Sequence, residues 1–128
     1  MTEAGALESF QRYVAAFGTL DARAVVPHFH TPAMLISPQG VVAFASGDDV
    51  ERFYRQFAMA DLPAKGYGGT ELVRVEERRL GADLAEVSGV LLWKTKGGQE
   101  MSRFGATYVL RRAAEGWKIV VAVIHDPA

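Results

Sequence analysis

The chain contains no cysteine and no surplus of either charge: fourteen Lys and Arg stand against fifteen Asp and Glu, a formal net charge of −1. The first absence excludes disulfides, thiolate nucleophiles, zinc ribbons and iron–sulfur clusters, and it fits a reducing compartment. The second removes the positive excess needed to neutralise a nucleic-acid backbone, so neither DNA nor RNA is an expected partner. Long apolar runs are lacking too. The longest, residues 119–124, is far too short to cross a bilayer as a helix, and no membrane association is expected. Residues 1–10 carry two glutamates and no Lys or Arg, the wrong start for a signal peptide, which points to a cytoplasmic protein. What the 128 residues do have is 49% hydrophobic content, enough for one domain with a single core spanning 1–128.

Apolar periodicity divides the chain. Leu7, Phe10, Val14 and Phe17 recur at spacings of three and four and predict an amphipathic helix, with Gly18 as its C-cap. Thr19 or Asp21 can cap a shorter second helix reaching Phe29, which Pro27 should bend or end early. Residues 33–37 and 41–45, joined by Pro38-Gln39-Gly40, read as a hairpin. Ser46 followed by Asp49 resembles a capping box, and Val50, Phe53, Tyr54 and Phe57 then continue at helix spacing, predicting a third helix over 48–60. The rest is strand-like, at 70–79, 85–95, 101–112 and 117–125, with the short connections that join antiparallel neighbours.

Helices segregated from an antiparallel sheet define an α+β domain. Residues 119–124 are apolar on both faces, whereas a sheet wetted on one side alternates. Helices can cover one face; a second copy of the chain is the simplest cover for the other, so a homodimer through the sheet face is expected.

This order of elements, with Ser46-Gly47 leading into Phe53-Tyr54-Arg55-Gln56 and Gly116-Trp117-Lys118-Ile119 opening the last strand, resembles the nuclear transport factor 2-like superfamily. That group includes the SnoaL-like polyketide cyclases and the ketosteroid isomerases. The resemblance covers nearly the whole chain. It implies a cone-like roll of the NTF2-like or cystatin-like type: a bent antiparallel or mixed sheet wrapped around three N-terminal helices, with an apolar pocket between them. The same fold serves enzymes and non-enzymes, so the resemblance implies no single activity.

Aligned by eye with Δ5-3-ketosteroid isomerase through Gln11-Arg12-Tyr13, the resemblance makes Tyr13 the oxyanion-hole tyrosine. It places the catalytic aspartate on Ser37, followed by Pro38, and the protonated oxyanion-hole aspartate on or near Gly105. Both carboxyl groups are missing. A serine cannot take up a carbon-bound proton near neutral pH as a carboxylate can, so ketosteroid isomerisation by that mechanism is not expected. The same register turns Val87, Gly89, Leu91 and Trp93 towards the cavity, with Arg103, Gly105 and Thr107 on the next strand and Asp126 at the pocket mouth. Gly89 and Gly105 either widen the cavity or let the sheet bend.

The candidates are then few. Tyr13 is a phenol that can donate to a carbonyl or enolate oxygen in an apolar pocket, or a core tyrosine satisfied by the backbone. Trp93 would form an apolar wall, with Ser37 and Gly105 beside the substrate and Arg103 or Asp126 as polar anchor. His125 next to Asp126 pairs an imidazole with a carboxylate, although adjacent strand residues face opposite sides. His28 and His30 straddle a helix end where their rings diverge, and with no acidic ligand nearby no metal is expected. The reading is a SnoaL-like protein binding a small, apolar or cyclic molecule, with any chemistry limited to cofactor-free proton transfer, dehydration, cyclisation or hydration. The competing reading is a non-catalytic dimerisation or partner-binding module.

Overall fold

A computed structural model describes residues 5–127. The first amphipathic segment becomes α1 (Ala6–Gly18), which turns Ala6, Phe10, Tyr13 and Phe17 inward. Leu20, rather than Gly18, adopts the left-handed backbone just beyond it, at φ 58°. Asp21 caps α2 (Ala22–Val25), its carboxylate accepting the Arg23 N–H at 3.0 Å. The second helix is shorter than expected: Pro27 lies in a 3-10 turn, Val26–His28, and Phe29 already begins a strand.

That strand, β1 (Phe29–Ser37), forms the hairpin with β2 (Gly40–Phe44). It starts four residues before position 33, and its pairing with the last strand breaks between Phe29 and Met34, where Pro32 has no N–H to give the ladder. The third helix, α3 (Gly47–Phe53), opens on a reciprocal cap. Ser46 Oγ accepts the Asp49 N–H at 3.4 Å, and the Asp49 carboxylate accepts the Ala45 N–H at 2.9 Å. Instead of running regularly to position 60, the chain passes into a π-helical turn, Tyr54–Ala58. Within this turn Tyr54 is buried while Phe57 is 69% exposed, so Phe57 leaves the apolar stripe in which its spacing placed it.

Four long strands complete the sheet: β3 (Tyr67–Arg79), β4 (Leu84–Thr95), β5 (Glu100–Ala113) and β6 (Gly116–His125). β3 begins three residues before position 70, at a point where Gly68 lets it pass against the Lys96 backbone, where a side chain would not fit. The sheet order is β2-β1-β6-β5-β4-β3, with β1 and β6 parallel and every other pair antiparallel. α1 lies across β3, β4 and β6 on the inner face. The fold is thus α+β, three N-terminal helices against a six-stranded mixed sheet.

Two irregularities decide which residues face the interior. Just beyond Gly89, opposite Val90 and Leu91, the β3 ladder slips between Leu72 and Arg74, and a Cβ on Gly89 would run into the Arg74 carbonyl oxygen. Gly89 therefore lets the sheet bend. Between β4 and β5, Trp93 pairs with Ser102 but Lys94 pairs with Glu100, leaving Met101 as an extra residue. One inserted residue exchanges the two faces. Val87, Leu91 and Trp93 point inward as expected, opposite Tyr108, Phe104 and Ser102. Arg103, Gly105 and Thr107, expected inward, lie on the outer face.

The outer face is graded. One row runs Val41, Ile36, Val123, Thr107, Ser88 and Glu76; the next runs Ala43, Met34, Val121, Val109 and Glu86. It is apolar over β2, β1 and β6 and becomes polar towards β3. Val90 and Leu92 on this face are buried yet stand outside the main core cluster.

Candidate functional site

Between the inner face of the sheet and the helices lies a cavity of about 300 Å³ that opens to solvent. α1 contributes Tyr13, Val14 and Phe17; the end of α3 and its π-helical turn contribute Phe53, Tyr54 and Ala58. The strands supply Leu35 and Ser37, Thr70, Leu91 and Trp93, Ser102, Phe104 and Tyr108, and Ile124. Phe17 and Trp93 stack at 5.6 Å with an interplanar angle of 16°, forming one flat wall.

Three phenols gather at one side. The Tyr13 and Tyr54 hydroxyls share a hydrogen bond of 2.7 Å, and the Tyr108 ring lies 5.8 Å from that of Tyr13. Burial pushes the pKa of all three upward, with the neighbouring phenols adding to the rise, so each stays protonated. A hydrogen bond between two hydroxyls uses one proton and leaves the other free to donate elsewhere. In an apolar setting such a donor is a strong partner for a carbonyl oxygen or a developing enolate. Ser37, Thr70 and Ser102 supply further hydroxyls. Among the described residues the cavity wall carries no carboxylate, amine or imidazole.

Tyr13, Ser37 and Trp93 thus share one cavity, and the structure does not bring the other sequence candidates to them. Arg103 lies outside, paired with Glu100 at 3.2 Å. Gly105 is also on the outer face, where a Cβ would collide with the His125 ring. His125 lies above it: its Nδ1 donates to the Asp126 carbonyl at 2.8 Å, and its Nε2 accepts from Thr107 Oγ1 at 3.0 Å. Asp126 is exposed beyond the end of β6 and does not line the cavity. The predicted His125 and Asp126 pair therefore has no access to a ligand beside Tyr13. His30 donates from Nδ1 to the Pro32 carbonyl and accepts from Arg111, while His28 opens on a separate groove. Among the described residues no group of three or more His, Asp or Glu is placed to hold a metal.

Sequence reasoning missed Tyr54 and Tyr108 as members of the site. Each was legible as a hydroxyl within an apolar pattern, at helix spacing after Val50 and inside the strand at 101–112. Their convergence on Tyr13 depended on the π-helical turn and on the Met101 bulge.

A bent mixed sheet closing over three helices around an open apolar cavity is the architecture of the NTF2-like proteins. The chain belongs to that superfamily: its residues 3–127 match the family described as NTF2-like protein (DUF6841). Solved structures of the same fold include a protein of unknown function with a cystatin-like fold from Nostoc punctiforme, with TM-score 0.75 and 16% identity over 99% of this chain and 97% of that one. An NTF-2 like protein from Shewanella oneidensis is similar at TM-score 0.73 and 18% identity, over 94% and 95% of the two chains. A ketosteroid isomerase-like protein from Erwinia carotovora has TM-score 0.65 and 19% identity, over 92% and 90%. At these identities the likeness is one of fold. No curated protein matches the chain. No helix among the described residues is long and apolar enough to cross a membrane.

Proposed function

We propose that the protein binds a small neutral molecule, largely apolar or cyclic and bearing a carbonyl or hydroxyl oxygen, in the cavity beside Tyr13. The observation that carries this reading is the lining itself: an open, mostly apolar space whose polar side chains, among the described residues, are hydroxyls and the Trp93 indole, with two phenols hydrogen-bonded at one side. A charged ligand would lose its hydration and find no counter-charge there. At about 300 Å³ the space sits at the small end of ligand pockets, the size of a one- or two-ring molecule.

The bound oxygen accepts from the free proton of the tyrosine pair, and Phe17 with Trp93 flanks the ring system. Polarising a carbonyl in this way is the contribution the site can make to proton transfer, dehydration, cyclisation or hydration. Among the described residues the wall holds no carboxylate, so the protein's part in such a step is polarisation, with water or the substrate's own group as base. The protein acts as a homodimer joined through the outer sheet face, where the apolar rows over β2, β1 and β6 give the partner its contact. Those rows also favour the second reading, a dimerisation or partner-binding module in which the cavity holds no ligand.

Native mass spectrometry of freshly purified protein tests both parts. A mass of two chains with a small neutral molecule retained supports the proposal; a dimer that is always empty favours the second reading, and a monomer refutes the sheet-face interface.

A further inference from the structure

A second groove, of about 460 Å³, lies where α1, the 3-10 turn Val26–His28 and the β5–β6 turn meet. Its walls include Ser9 and Arg12 of α1, His28, Glu115, Trp117 and Lys118. Three nitrogen groups from three elements therefore face one space. The Lys118 ammonium donates to the Pro27 carbonyl, which holds it at the groove and leaves two of its three N–H bonds free.

Several basic groups elsewhere on the chain meet a carboxylate: Arg52 meets Asp49, Arg55 meets Glu51, Lys94 meets Glu71 and Arg103 meets Glu100. The basic groups of the groove converge on one space instead. Among the described residues neither Arg12 nor His28 has a hydrogen-bond or ion-pair partner, and Glu115 pairs with neither Arg12 nor Lys118. Burial first, then the charges of Lys118 and Arg12, lower the pKa of His28. The remaining groups around that ring are the Glu115 carboxylate, which also lines the groove, and the uncharged Tyr13 and Ser9. Two cations and an imidazole against the single carboxylate of Glu115 leave the groove with a surplus of charged donors, which is complementary to an anion with several acceptor oxygens.

We infer that this groove is a binding site for a phosphate-type oxyanion, either free phosphate or a phosphate monoester. The guanidinium of Arg12 offers a fork to two oxygens, Lys118 a point charge, and His28 and Ser9 further donors. A carboxylate, with two oxygens, can satisfy only part of this set. The inference is independent of what the apolar cavity binds.

The test follows the His28 ring and Trp117 indole proton signals by NMR in the full chain. Inorganic phosphate, phenyl phosphate or acetate is added at constant ionic strength. Saturable shifts at both residues with inorganic phosphate or phenyl phosphate, a rise in the His28 pKa and a much weaker response to acetate are expected. Which of the two phosphates binds more tightly separates a free-anion site from a monoester site. Arg12→Gln removes an exposed side chain that holds nothing in place, so the fold is retained, and it should weaken phosphate about tenfold. Arg23→Gln, on α2, should leave the affinity unchanged. Shifts that grow linearly without saturating, that acetate reproduces, or that survive Arg12→Gln unchanged overturn the inference.

Discussion

The hydroxyls of Tyr13 and Tyr54 lie 2.7 Å apart, both buried, although 41 positions separate them in the chain. One helix and one π-helical turn meet at this bond, so it ties α1 to the end of α3 as well as forming the polar side of the cavity. Tyr13→Phe leaves the Tyr54 hydroxyl short of a partner in an apolar wall, and Tyr54→Phe does the converse. Each should cost about 1–3 kcal/mol in urea denaturation. The double variant should cost less than the sum, by about 1 kcal/mol, because the second change removes the group the first left unpaired. Strict additivity would mean that the bond contributes nothing.

All four tyrosines have phenol pKa values above the ordinary 10, Tyr67 through partial burial and the other three chiefly through full burial. An acid whose folded pKa is raised favours folding below its unfolded pKa and loses that contribution as pH climbs above it towards the folded value. Folding stability should therefore fall steeply above pH 10. In a spectrophotometric titration, phenolate absorbance should appear together with the loss of native circular dichroism. A phenolate signal near pH 10 in intact protein would show that at least one ring is solvated.

Gly89 and Gly105 should separate sharply on substitution by alanine. At Gly89 the new methyl meets the Arg74 carbonyl and neighbouring backbone, which cannot give way without undoing the sheet bend, so a loss upwards of about 3 kcal/mol is expected. At Gly105 the new methyl meets the His125 ring, which can swing aside, and the Asp126 carbonyl oxygen, which lies beyond the end of β6 and is not held in the ladder. Gly105→Ala should cost less in thermal unfolding, and its NMR signature should be a displaced His125 ring that has lost Thr107. Equal losses would contradict the different places assigned to the two glycines.

Asp49 carries the cap of α3, and acceptance of the Ala45 N–H, with help from Arg52, depresses its carboxyl pKa below the ordinary 3.8. A depressed acid contributes stability above its unfolded pKa and loses it as pH falls through the folded value. Asp49→Ala should therefore destabilise the protein at pH 7 and flatten the stability profile below about pH 4. An unchanged acid profile in that variant would show that other carboxylates set it.

Most of the architecture was legible because the chain obeys local rules. The stripe of α1, the cap at Ser46 and the glycine-rich turns between long alternating strands each gave element type and order. Facing was legible on β4 and failed on β5, since a single bulged residue at Met101 reverses every later side chain and leaves no mark in the apolar pattern. That reversal moved Arg103, Gly105 and Thr107 outside and brought Tyr108 in. The π-helical turn was equally silent, because Val50, Phe53, Tyr54 and Phe57 satisfy regular helix spacing whether or not Phe57 is buried. Of the site, Tyr13, Ser37 and Trp93 could be named in advance, while Tyr54 and Tyr108 needed contacts made by distant segments.

The central claim is that the cavity takes a neutral oxygen-bearing ligand held by the tyrosine pair. A fluorescence titration with 1-tetralone, a two-ring ketone, against 1-naphthoate, a two-ring carboxylate, tests it most directly, since Trp93 lines the space and Trp117 does not. Saturable quenching by the ketone is predicted, absent in Trp93→Phe and about tenfold weaker in Tyr13→Phe, with no saturable response to the carboxylate. Failure of the ketone to bind, or equal binding of the carboxylate, would contradict the account.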